Sequence, residues 1–227
     1  MLPTDKPIRI SVAGCGGTGS QVVSGLGRIH NAIKRCGHPY GLFVRAFDHD
    51  IVTDANVGRQ LFHVGDVGQG KAEVLIRRMN LFFGVHWNWV SRKFKGDVNA
   101  DIVISCVDSG KARKDIASGL LIKRQYILDC GNEADFGQVI LGGMEYGDLY
   151  KQYPQLLEDD GAPNIHSCSL AEAITRQDLF INQEVATKAL HIVWRMARYG
   201  QLDYRGVYIN QKSGITNPIK KEDISCQ

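Results

Sequence analysis

Apolar positions along this chain change between two periods, and the changes predict a succession of strands and helices. Residues 8–13 (Ile-Arg-Ile-Ser-Val-Ala) are β-branched and alternate with polar positions, which predicts a strand. Val22, Val23, Leu26, Ile29 and Ile33 recur at helical spacing over residues 21–35, and Gly37-His38-Pro39 ends that run. Residues 42–47 predict a second strand, stopping at Asp48-His49-Asp50. A crossover of this length joins parallel strands. Residues 54–67 read as a loop or short helix, 71–83 as a helix and 87–94 as a polar edge strand. A buried strand is expected over 101–106, a helix over 111–121 and a strand over 126–130. Residues 137–143 are expected to run antiparallel to what precedes them. Residues 146–165 carry turn residues and the acids Glu158-Asp159-Asp160, which predicts an exposed crossover segment. A long amphipathic helix is expected over 181–199, a terminal strand over 206–210 and a frayed end over 220–227.

This succession predicts an α/β fold: a Rossmann-like, doubly wound, mostly parallel sheet with flanking helices. No internal repeat is visible, so residues 1–227 are expected to form a single domain, with 211–227 as a tail. At 227 residues and 44% apolar content, the chain can bury one full-sized core. Its 27 basic and 24 acidic residues nearly balance, and no dense basic run appears, so no nucleic-acid partner is expected. Residues 1–6 lack the apolar stretch of a signal peptide, and no run approaches the ~20 residues that cross a bilayer. A cytoplasmic protein without a membrane partner is the expectation. The six cysteines contain no C-x-x-C pair, which argues against a zinc knuckle and a disulfide framework.

The chemistry centres on Gly14-Cys15-Gly16-Gly17-Thr18-Gly19, placed between a strand and a helix. Gly14, Gly16, Gly17 and Gly19 allow a tight turn and close approach of phosphate oxygens to a helix N-terminus. The pattern alone fits an ordinary tight turn equally well. Asp48 and Asp50 end the second strand, where a carboxylate can take ribose hydroxyls. Asp48 lies 29 residues after Gly19, against the roughly twenty expected of a dinucleotide fingerprint. Asn56, Arg59 and Gln60 follow, and Lys71 opens the next helix. Adenylation requires cations on the β- and γ-phosphates as charge builds on pyrophosphate, and Arg59 and Lys71 supply two. Hydride transfer has no such requirement. Asp108, at a strand end, is a hard oxygen ligand suited to Mg²⁺, with Arg113 one turn into the next helix to orient it.

At these residues the sequence resembles the ThiF/MoeB and ubiquitin-activating-enzyme (E1-like) superfamily. The resemblance runs through Val12 to Ser20, Asp48-His49-Asp50-Ile51-Val52, Asn56-Val57-Gly58-Arg59-Gln60, Gly68-Gln69-Gly70-Lys71 and Asp101 to Asp108 with Arg113. It covers about residues 8–197. It implies ATP and Mg²⁺ as cofactors, with Asp50 on the ribose, Asn56, Arg59 and Lys71 around the triphosphate, and Asp108 on the metal. Gln60 would contact phosphate or brace Arg59. It also implies a homodimer. Ser167-Cys168-Ser169-Leu170-Ala171-Glu172 and Gln177 to Gln183 look most like the ThiF-type proteins of PRTRC systems. Three departures stand out. The zinc pairs of many members are missing, so no zinc is expected. An aspartate-asparagine pair is Asp108-Ser109 here, and near the N-terminus only Arg9 offers an arginine, inside a strand.

Cys168 precedes a helix after the acidic segment, the position at which several relatives carry an acyl or sulfur group. A thiol at a helix N-terminus favours thiolate and can form a thioester. The alternative is a buried cysteine that helps the crossover pack. The leading expectation is ATP-dependent adenylation of the C-terminal carboxylate of a small ubiquitin-like (β-grasp) protein ending in glycine. The alternatives are adenylation of a small-molecule or tRNA-base carboxylate, an NAD(P)-dependent oxidoreductase, and a non-catalytic partner subunit.

Overall fold

A computed structural model describes residues 2–158 and 178–221 of the chain. Strand β1 (Ile8–Ala13) leads into helix α1 (Gly17–Arg35), which returns to β2 (Leu42–Phe47). After two short 3-10 turns come α2 (Lys71–Phe83), β3 (Asn88–Val90), β4 (Ile102–Ser105) and α3 (Gly110–Gly119). Then follow β5 (Tyr126–Asn132), β6 (Phe136–Gly143) and the one-turn helix α4 (Leu149–Gln152). The described chain ends with α5 (Ile181–Tyr199), β7 (Tyr204–Asn210) and β8 (Ile215–Lys220).

All eight strands join one sheet in the order β3-β2-β1-β4-β5-β6-β7-β8. The first five in that order are parallel, and the last three pairings are antiparallel, as expected of β6. The α/β, doubly wound reading holds. Chain order reverses between β1 and β4, and a crevice opens at the carboxyl ends of strands at such a reversal. One core packs α1, α2 and α5 on one face of the sheet through Val22, Leu26, Leu75, Val185 and Ile192. A smaller core packs Ile116 of α3, and Leu149 and Tyr150 of α4, on the other. Parallel strands covered on both faces need continuous apolar runs, and Ile102–Ser105 is buried throughout.

Within the layer of α1, α2 and α5, neighbouring side chains lie directly on the backbone of α1. A Cβ on Gly25 would collide with Leu190 of α5, and one on Gly27 would collide with Phe83 of α2. Helix α1 therefore sits deep between its neighbours.

Three expectations need correction. The sheet does not end at Asn210. Residues 215–220 add β8 through a hairpin whose loop turns at Gly214, with φ of +69°. Pro218 and the polar Thr216 and Asn217 hid the strand, and they suit an exposed edge. Second, helix α1 begins at Gly17 rather than residue 21, so the glycine turn supplies its first turn. Third, the described part of 146–165 is not simply exposed, because Tyr146, Leu149, Tyr150 and Leu156 are buried. A register shift in β7 between Tyr204 and Gly206 accompanies the burial of Arg205 under this segment. Its guanidinium donates to Gln152 Oε1 at 2.8 Å and to Tyr153 Oη at 2.8 Å.

A buried charge network stiffens the sheet under the crevice. Asp129 of β5 is fully buried, accepts from Arg113 Nε at 3.2 Å and from the Tyr150 hydroxyl at 3.0 Å, and so ties α3 and α4 to the sheet. Removing one partner of a buried pair strands the other charge. Asp129→Ala is expected to lower stability by about 3 kcal/mol, and Tyr150→Phe by about 1 kcal/mol, in urea unfolding. Equal losses in the two variants would show that the ion pair adds nothing beyond a neutral hydrogen bond.

Candidate functional site

The four glycines of the turn have four different physical causes. Gly14 has φ of +89°, a backbone state that a side chain strains, and its Cβ would meet the Cys106 carbonyl oxygen at 2.7 Å. Gly19 is fixed by the Gly14 carbonyl, which its Cβ would overlap. Gly17 faces the Asn182 side chain, with a Cβ there only 2.6 Å from Cγ. Gly16 differs: among the described residues the nearest group to its Cβ position is Gln60 Nε2 at 3.9 Å. Packing among the described residues therefore does not explain the glycine at position 16, whereas close approach of a ligand would.

Gly16 is also the N-cap of α1. No side chain caps that helix, and its first turn holds no acidic residue. An uncapped start with its partial positive charge suits an anion.

Asp48 is engaged by backbone at both oxygens. One carboxylate oxygen accepts from Cys15 N–H at 2.6 Å and the other from Asp50 N–H at 2.8 Å. Burial pushes its pKa up, and these two donors hold it back. It welds the turn after β1 to the end of β2. Asp50 is the more exposed carboxylate of the two, and it holds Lys71 Nζ at 3.2 Å and His49 Nε2 at 3.3 Å. Lys71 is buried to 8% exposure, and its own N–H bonds the Asp50 carbonyl at 3.0 Å. Lysine and carboxylate are thus delivered together at one strand end.

Arg59 and Gln60 ride on a closed excursion of the chain. Val52 and Gln69 bond across its base at 2.8 Å, and Gly68 N–H returns to Val52 at 2.9 Å. Arg78 of α2 grips it from below, donating to the Leu61 carbonyl at 2.7 Å and Asp66 Oδ2 at 2.6 Å. Ser20 of α1 accepts from Leu61 N–H at 3.3 Å and donates to the Gly17 carbonyl at 3.1 Å. The excursion is therefore pinned to the glycine turn itself. Gln60 is buried, and its Oε1 has no hydrogen-bond partner among the described residues. Asn56, also buried, uses its carbonyl oxygen to accept from Thr53.

On the far side, Asp108 is exposed on the loop after β4. Arg113 does not pair with it in this structure: its Nε lies on Asp129. The Ser109 hydroxyl accepts from Ala112 N–H at 3.3 Å and caps α3. Cys106 packs under the turn, and the Cys130 thiol is pushed up by its bond to Cys106 and by burial. Cys168 lies outside the described residues.

The structure thus brings Gly14, Gly16, Gly17, Gly19, Asp48 and Gln60 together at one crevice, with Asp50 and Lys71 at the neighbouring strand end. The sequence reading missed Ser20 as the link to the excursion, and missed Thr18, Asn132 and Asn182. Thr18 donates to Asn182 Oδ1 at 3.0 Å, across 164 residues of chain. No sequence motif connects the two.

No protein-family profile and no curated protein matches the chain. Solved structures do match in fold. A crystal structure of PaaA superposes with a TM-score of 0.64 at 13% identity, over 96% of this chain and 64% of that one. E. coli MccB with ATP gives a TM-score of 0.64 at 16% identity, covering 96% of this chain and 65% of MccB. MccB with AMPCPP and MccA gives 0.65 at 16% identity, covering 97% and 66%. The chain therefore spans about two-thirds of the length of these proteins and has their fold.

Proposed function

We propose that this chain binds ATP with Mg²⁺ at the carboxyl ends of β1, β2 and β4 and adenylates the C-terminal carboxylate of a small ubiquitin-like protein. The observation that carries the reading is the open Cα of Gly16 at an uncapped helix start, beside the pinned excursion that bears Arg59 and Gln60. The fold shared with MccB, seen with ATP and with MccA, supports a nucleotide and a second bound partner. The E1-like motif succession supports the same chemistry, and the PRTRC-type kinship rests on the residues quoted above.

In this reading a carboxylate oxygen of the partner attacks the α-phosphorus. The bond from the α-phosphorus to the bridging oxygen breaks, and pyrophosphate leaves with that electron pair. The first-turn N–H groups of α1 hold the phosphates, and Asp50 takes the ribose. Arg59 and Lys71 offset the charge that builds on pyrophosphate. Asn56 and Gln60 sit beside them, and the unpaired Gln60 Oε1 offers an acceptor to a ligand donor. Lys71 already has an anionic partner in Asp50. It is therefore held near the site, and a phosphate takes over part of that role. Asp108 is an exposed carboxylate at the strand end next to the turn, which fits a hard cation. Mg²⁺ there would supply charge neutralisation on the phosphates. Cys168 would accept the acyl group as a thioester, releasing AMP.

Lys71→Ala and Asp108→Ala are each expected to lower partner-dependent ATP–pyrophosphate exchange by at least about 100-fold. Cys168→Ser is expected to leave exchange intact and remove any thiol-sensitive adduct with the partner. Unchanged exchange in the first two variants would refute adenylation at this site, and a persistent adduct in the third would give Cys168 no acyl role. The resemblance further implies a homodimer. Light scattering is expected to give twice the 25.2 kDa chain mass, and a particle of 25.2 kDa at micromolar concentration would exclude it.

A further inference from the structure

Asn182 lies one residue into α5, yet its side chain covers the start of α1. A Cβ on Gly17 would sit 2.6 Å from Asn182 Cγ, 2.9 Å from Nδ2 and closer still to Oδ1. Gly17 does not have a positive φ, so its backbone admits alanine, and the three nearest atoms that a Cβ would meet all belong to the Asn182 amide. Beside it, the Thr18 hydroxyl is shared between Asn182 Oδ1 at 3.0 Å and Asn132 Oδ1 at 3.3 Å. Asn132 Nδ2 donates to Asn182 Oδ1 at 3.5 Å. Thr18 and Asn182 are both buried, at 5% and 7% exposure.

The consequence is geometric. The first turn of α1 is held on one side by Asp48, through Cys15, and by Ser20, through Leu61. On the other side it is held by Asn182. A turn that presents N–H groups to a phosphate must not tilt, since a displacement of about 1 Å can cost on the order of 100-fold in a positioned reaction. The amide is also neutral. It fills the space beside two helix starts without placing a negative charge there, and α1 has no acidic residue in its first turn.

We propose that Asn182 is a positioning residue for the phosphate-binding turn, acting as a spacer against Gly17 and an acceptor for Thr18. The proposal rests on the ATP reading given above. It makes the glycine at position 17 and the asparagine at 182 a matched pair: each is required because the other is there.

The test is a double-mutant cycle read in two ways, by ATP affinity in calorimetric titration and by Tm. Gly17→Ala and Asn182→Ala are each expected to weaken ATP binding about tenfold, the size of a coupled contact. The double variant, in which the new methyl fills the space the amide leaves, is expected to bind within about threefold of wild type. Asn182→Asp keeps the shape and the acceptor but adds a negative charge. It is expected to retain its Tm more nearly than its affinity, and its affinity deficit is expected to widen as salt is lowered, because screening weakens. Additive losses in the double variant overturn the matched pair. A deficit in Asn182→Asp that follows Tm and ignores salt overturns the placement of Asn182 beside the phosphates. A wild-type protein that binds no ATP overturns the ATP reading and this role together. Wild-type binding with additive losses overturns this role alone.

Discussion

Asp48 accepts two backbone N–H bonds at its two oxygens, and the geometry of the crevice follows from them. The bond to Cys15 fixes where the chain turns after β1, and so where α1 begins. The bond to Asp50 fixes where β2 ends, and so where Lys71 is met. A carboxylate at 9% exposure suffers desolvation, which raises its pKa. Its contribution to stability is therefore largest at low pH and declines as pH rises through the raised folded value. The two short N–H bonds limit that decline, and they reinforce the Gly14 N–H bond to the Phe47 carbonyl at 2.9 Å, which joins the same two strand ends. Both oxygens of Asp48 are engaged by backbone, and Asp50 is the more exposed carboxylate of the two.

From this joint the site is assembled by contacts that each come from a different element. Ser20 carries the excursion with Arg59 and Gln60, and Arg78 holds that excursion from α2. Asn182 closes the opposite side from α5. Below, the Asp129–Arg113–Tyr150 network fixes α3, whose start follows the Asp108 loop. The turn is held from several sides, while no described side chain packs against the Cβ position of Gly16 more closely than Gln60. A rigid frame is the arrangement electrostatic catalysis requires, since the donors need not reorganise when charge develops.

Much of the fold was legible because the physics behind it is local. Apolar period gave β1, β2, β4 and β5, and gave α2 and α5 with their observed bounds. Strand β8 was hidden because edge strands carry Pro218 and polar residues for the same reason that they read as non-strand. The crossover segment read as exposed because Leu149, Tyr150 and Leu156, which pack on the sheet, are scattered among polar residues, and Arg205 beneath it arrives from a β7 register shift that leaves no trace in periodicity. The site was legible where glycines, acids and cations cluster in sequence. It was illegible where a contact spans the chain: Arg113 was matched to its neighbour Asp108, whereas burial pairs it with Asp129. Gly17 read as a phosphate glycine, and no sequence signal showed that the Asn182 amide lies against it.

The central claim is that the open face of Gly16 receives the phosphates of ATP. The most direct measurement is a crystal structure of the protein with a non-hydrolysable ATP analogue and Mg²⁺. The account predicts phosphate oxygens on the first-turn N–H groups of α1 above Gly16, the ribose at Asp50, and Lys71 within hydrogen-bond reach of the triphosphate. A nucleotide bound away from this turn, or a nicotinamide dinucleotide bound in its place, would contradict it.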